Sequence, residues 1–108
     1  MSSTSASGRA DEAARAARAA LELDPLLADA HYNLGNALAR LGESAPAIAA
    51  FEAALRCQPR FPRAHNNLGV VHLRAGRPAE ARAHFEAALR LDPDYPEARR
   101  NLEAIGGR

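Results

Sequence analysis

Four histidines, at positions 31, 65, 72 and 84, and one cysteine, Cys57, are the side chains of this 108-residue chain most suited to metal binding or nucleophilic chemistry. His65 and His72 lie two turns apart if their segment is helical. That is about 10.5 Å along the axis, too far to share one ion. His84 is expected on the exterior of its own helix. A single cysteine permits neither an intramolecular disulfide nor a cysteine-rich metal site. Cys57 takes the place that Leu23 and Leu91 occupy 34 residues to either side, so its expected role is packing. The chain has no G-x-S-x-G, no H-E-x-x-H and no glycine-rich phosphate loop. Charges such as Arg82 and Glu86 are spaced as helix-surface pairs. These residues predict no enzyme, no metal and no cofactor.

The elements that hold these side chains are helical. Alanine is abundant and only 5% of residues are aromatic, a balance that favours helices packed through small side chains over a sheet. Formal charge is +1, every basic residue is arginine, and no basic run stands out. Neither nucleic acid nor a membrane surface is an expected partner. The first eight residues lack the apolar core of a secretory signal, and no segment is long and apolar enough to span a bilayer. A cytoplasmic location is the expectation, and the alanine and arginine bias suggests a bacterial coding sequence.

The chain repeats itself every 34 residues. Pro25, Pro59 and Pro93 share this step, as do Gly8, Gly42 and Gly76. So do Ala20, Ala54 and Ala88, then Leu21, Leu55 and Leu89, then Asn33, Asn67 and Asn101, then Leu34, Leu68 and Leu102. A fixed period of this length marks a solenoid. Pro62 and Pro96 suit the first turn of a helix, where the missing N–H goes unneeded. Gly42 and Gly76 suit helix ends, and Pro46 and Pro78 fall in the opening turn of the next helix. Gln58-Pro59 and Asp92-Pro93 close that second helix. Six helices are expected, over about 9–23, 28–41, 45–57, 62–75, 79–91 and 96–105.

This pattern resembles the tetratricopeptide repeat, W-x2-L-G-x2-Y followed by A-x3-F and P. One copy carries His31, Leu34, Gly35, Leu38, Ala47, Phe51 and Pro59; the next carries His65, Leu68, Gly69, His72, Ala81, Phe85 and Pro93. Histidine replaces the tryptophan in both copies, and Leu38 and His72 replace the tyrosine. The resemblance implies an all-α, right-handed superhelix of two full repeats with flanking half-repeats. It divides the chain into a disordered tail over 1–8, a half-repeat over 9–27, repeats over 28–61 and 62–95, a capping helix over 96–105 and a tail over 106–108. It also places His31 and His65 in packing slots as partly buried, hydrogen-bonded rings. Phe61 and Tyr95 share the inter-repeat slot of Leu27. Small residues at Gly35, Ala47 and Ala54 let the helices of one hairpin approach, and Phe51 fills the remaining gap. In helix 9–23 the phenylalanine slot holds Ala17, and in the last helix Glu103 stands where Gly35 and Gly69 stand.

In this family the first helix of each pair lines a concave groove that takes an extended peptide or a partner helix. The implied lining is Asp29, Tyr32, Asn33, Asn36, Ala39 and Arg40, then Arg63, Asn66, Asn67, Val70, Leu73 and Arg74, then Glu97, Arg100, Asn101 and Ala104. Asn33, Asn67 and Asn101 would form a ladder of amides able to pair with a peptide backbone, much as the superhelix of O-linked N-acetylglucosamine transferase holds extended chains. The alternative is that they merely meet water. Three such bonds contribute about 2–4 kcal/mol, roughly millimolar binding, so Tyr32, Leu73 or the arginines must add to them. Four arginines against two acids, Asp29 and Glu97, predict a preference for acidic segments. A chaperone-type carboxylate clamp is not expected, because Tyr32, Glu97 and Asn101 stand where cations are required. Besides this interaction module, two other roles fit: self-association through the terminal helices, and an accessory piece of a glycosyltransferase-like enzyme.

Overall fold

The computed structural model describes residues 6–106, which form six α-helices: α1 (Ala6–Leu23), α2 (Ala28–Arg40), α3 (Ser44–Cys57), α4 (Pro62–Arg74), α5 (Pro78–Leu91) and α6 (Pro96–Gly106). Helix α1 begins at Ala6, so residues 6–8, expected in the tail, are helical. The rest of that tail, and residues 107–108 at the other end, lie outside the described residues. Helices α2 and α3 form one antiparallel hairpin and α4 and α5 the next. Helix α1 packs on α2, α3 on α4 and α5 on α6, while α2, α4 and α6 also touch in sequence. The result is an all-α right-handed solenoid measuring 43 × 33 × 22 Å.

Each hairpin is closed by one aromatic ring against one missing side chain. Phe51 and Phe85 are fully buried. A Cβ placed on Gly35 would lie 2.7 Å from the Phe51 ring, and one on Gly69 would lie 2.6 Å from Phe85. Ala47, Ala54, Ala81 and Ala88 are likewise inaccessible, which lets the helix axes close around these rings. In α1, by contrast, the buried residues are Ala10, Ala14 and Ala17.

The turns inside the hairpins depend on glycine. Gly42 and Gly76 have φ of 79° and 82°. Glu43 N–H donates to the Leu38 carbonyl and Gly42 N–H to Ala39, with the same pair of bonds from Arg77 to His72 and from Gly76 to Leu73. This is the Schellman arrangement, which satisfies the last carbonyls of α2 and α4. Gly42→Ala or Gly76→Ala is expected to lower stability by about 1–2 kcal/mol, the penalty of a left-handed L-residue. Urea unfolding tests this, and an unchanged midpoint would contradict it.

The slot where the family pattern has tryptophan secures the turn between repeats. His31 Nε2 donates to the Pro25 carbonyl at 2.9 Å, and Arg99, one repeat further than His65, donates to the Pro93 carbonyl at 2.6 Å. The inter-repeat slot is filled best by Phe61, 4% exposed, whose ring lies 4.9 Å from that of Tyr32. Leu27 in the same slot is 40% exposed and Tyr95 is half-buried. Cys57 and Leu91 are half-buried, but Leu23 is 89% exposed, so the packing expected of that position fails in α1.

Candidate functional site

The row α2–α4–α6 carries the asparagines, and most of them bind one another. Asn101 on α6 donates through Nδ2 to Asn66 Oδ1 on α4 at 3.0 Å. Asn66 Nδ2 reaches Asn67 Oδ1 at 3.3 Å. Asn67 Nδ2 then donates to Asn36 Oδ1 at 2.7 Å and to the Tyr32 hydroxyl at 3.1 Å, both on α2. Both N–H donors of Asn67 are therefore committed inside the protein. Asn66, expected on the groove surface, is 3% exposed. The expected ladder of Asn33, Asn67 and Asn101 thus gives way to a relay, Asn101–Asn66–Asn67–Asn36, that ties three helices together. Asn33 alone of the ladder is exposed.

The aromatic part of the row is similarly structural. The Tyr32 ring packs at 5.9 Å from Phe51, and the Arg63 guanidinium sits 5.6 Å above its centroid. Burial, reinforced by the nearby Glu97 carboxylate, pushes the Tyr95 phenol up to about 12. Tyr95, Phe61, Arg63 and Asp29 border a depression of about 410 Å³.

Open surface remains at the arginine end of the row. A depression of about 270 Å³ has Ala39, Phe51, Val70 and Val71 as its apolar floor, with Asn36, Asn67, Arg40 and Arg74 around it. Arg40 also borders a larger depression of about 570 Å³ between α1 and α2, lined mainly by alanines with Leu27, Asp29, Asn33 and Asn36. Of the other expected lining residues, Arg63, Arg74 and Arg100 are exposed and Leu73 is 39% exposed.

The histidines do something the spacing along one helix could not show. His84, expected on the exterior, is half-buried, and its Nδ1 lies 3.1 Å from His65 Nδ1. The same ring stacks on His72, with 5.5 Å between centroids and 5° between planes. Burial first, then the neighbouring His65 and His72, bring His84 down to about 4; burial also lowers His65 and His72. Among the described residues no three His, Cys, Asp or Glu side chains converge as a metal site.

A scan of protein families matches the tetratricopeptide repeat over residues 5–60 and again over 43–96. The chain belongs to the tetratricopeptide repeat family. No curated protein sequence matches it. Among solved structures, this tetratricopeptide array is similar to the first repeat domain of Spaghetti (RPAP3) bound to an HSP90 peptide, SRMEEVD, at 25% identity and a TM-score of 0.89. That match covers 93% of this chain and 79% of the other. It is also similar to an O-GlcNAc transferase of Thermobaculum terrenum, at 26% identity and a TM-score of 0.86, over 94% of this chain but only 20% of that one. The Yersinia enterocolitica type III secretion chaperone SycD shares the fold, with 24% identity, a TM-score of 0.85 and coverage of 95% and 83%. No helix among the described residues is long and apolar enough to cross a membrane.

Proposed function

We propose that the chain is a non-catalytic interaction module that takes an acidic, extended segment or helix of a partner protein along the α2–α4–α6 row. The observation that carries this reading is the depression with an aliphatic floor at Val70 and Val71, flanked by Arg40 and Arg74. An apolar side chain of the ligand would leave water there, and neighbouring carboxylates would meet the guanidinium groups, which accept bidentate pairing. Asn33, the amide NH2 of Asn36, Leu73, Arg63, Arg100 and the carbonyl of Asn101 would extend the contact. The similar repeat domain with SRMEEVD bound, an acidic peptide, supports the same class of ligand.

The test is fluorescence anisotropy with matched acidic and basic peptides that carry one central leucine, at low salt. The acidic peptide should bind more tightly, and Arg40→Ala/Arg74→Ala should weaken it by about tenfold, the worth of charge-assisted contacts at an exposed site. Raising salt should weaken wild-type binding as well. Equal binding of the two peptides, or a double variant that binds as wild type does, would remove this reading.

A further inference from the structure

Three imidazoles from two helices meet between α4 and α5, where the spacing on either helix alone gives no hint of a cluster. The His65 and His84 rings are 5.4 Å apart between centroids, and their facing Nδ1 atoms are 3.1 Å apart. A ring nitrogen lies a little over 1 Å from its centroid, so the two nitrogens point almost straight at each other. That is the geometry of a hydrogen bond. Among the described residues no three-ligand cluster forms a metal site here.

A bond between two facing nitrogens needs one proton, not two. The nearby Pro59 carbonyl favours a proton on His65. With His65 Nε2–H directed there, His65 Nδ1 is the acceptor and His84 Nδ1–H the donor. His72 completes the cluster: it is 5% exposed, its ring stacks on His84, and its Nδ1 is buried without a hydrogen-bond partner. The charged groups acting on the three rings are Arg90, Arg77 and Glu80 at α5 and Glu52 on α3. Two are cations and two are anions, so they give a further proton little net shelter. Among the described residues, α2 and α6 add no charged group to this set.

We propose that His65, His72 and His84 form a proton-operated latch between α4 and α5, closed when the rings are neutral and released by acid. A second proton on the facing pair removes the only acceptor between them, and it sets a cation against a stacked, half-buried neighbour. The α4–α5 hairpin then loosens. Because α4 supplies Asn66, Asn67, Val70 and Arg74, release would also weaken ligand binding; this consequence rests on the groove reading above, whereas the latch itself does not.

The folded pKa values lie below the ordinary histidine value, so the unfolded chain takes up protons first. The latch's contribution is complete above about pH 6.5 and is lost as pH falls from there towards about 4, the value to which His84 is lowered. Thermal unfolding followed by circular dichroism is expected to show Tm falling by roughly 5–10 °C between pH 7 and pH 5. His84→Gln, which can still donate to His65 but does not titrate, should flatten this slope, as should His84→Phe if the amide packs poorly. His31→Asn, in another repeat, should leave it unchanged. Long-range nitrogen NMR on the wild type should show His84 neutral at pH 5. The proposal is overturned if His84 titrates near 6.5, or if the folded His84 variants keep the wild-type slope. Should the slope flatten while the acidic and basic peptides bind equally at pH 7, the latch stands and the groove reading fails.

Discussion

Phe51→Ala is expected to remove about 3–5 kcal/mol of stability, which is much of the roughly 5–15 kcal/mol that holds a small domain folded. The ring is wholly inaccessible and occupies the space left by the missing side chain of Gly35. Its neighbours in the core are Leu38, Ala47, Ala50, Leu68 and Val71, and the alanines are too short to collapse into the void. The reciprocal change is also harmful. Gly35→Ala would place a methyl group 2.7 Å from a ring that has nowhere to move, an overpacking penalty of about 1–3 kcal/mol. Because one contact underlies both effects, they should not add: Gly35→Ala combined with Phe51→Leu should lose less than the sum of Gly35→Ala alone and Phe51→Leu alone. Urea unfolding of the four proteins completes the cycle. Strict additivity would show that the ring and the glycine do not act as a pair.

The hairpins were legible in the sequence because their causes recur. Gly35 with Phe51 and Gly69 with Phe85 repeat at a fixed step, as do the helix-ending glycines and the turn prolines. The candidate site was legible only in part, for a related reason. Carrying residues over by 34 shows which positions are equivalent, but contacts between neighbouring first helices join residues about 31 or 35 apart, such as Asn36 with Asn67 and Asn66 with Asn101. The strict period therefore aligned Asn33, Asn67 and Asn101 as a ladder and concealed the relay. The signal lay in what does not repeat. Asn66 corresponds to Tyr32 and Arg100, and a polar residue that breaks the pattern has a local partner to answer for it. His84 gave a similar hint, since its equivalent, Ala50, is a buried alanine that faces a neighbouring helix. The exposure of Arg40, Arg63, Arg74, Arg100 and Leu73 was simpler to anticipate, because a side chain on the open face needs only the correct helix and the correct turn.

The relay leads to the second large effect. Asn66→Ala would strand the Asn101 donor and leave Asn67 Oδ1 without its bond from α4, around a site only 3% exposed. Buried polar groups left unpaired cost about 1–3 kcal/mol, more than the hydrogen bond itself contributes when made. Stability should fall by that amount in urea, whereas Asn33→Ala, at an exposed position, should stay within about 0.5 kcal/mol of wild type. The two asparagines thus separate a structural amide from one available to a ligand. The relay is also the polar contact between α2, α4 and α6, so its loss should disturb the spacing of the row along with the fold. Asn66→Ala is then expected to weaken binding of an acidic peptide without touching it, through the position of Asn67 and Asn36 beside the Val70 floor. If Asn33→Ala proved as destabilising as Asn66→Ala, the division between relay and ligand surface would be wrong. If Asn66→Ala lost stability yet bound peptide unchanged, the relay would hold the fold but not the shape of the groove.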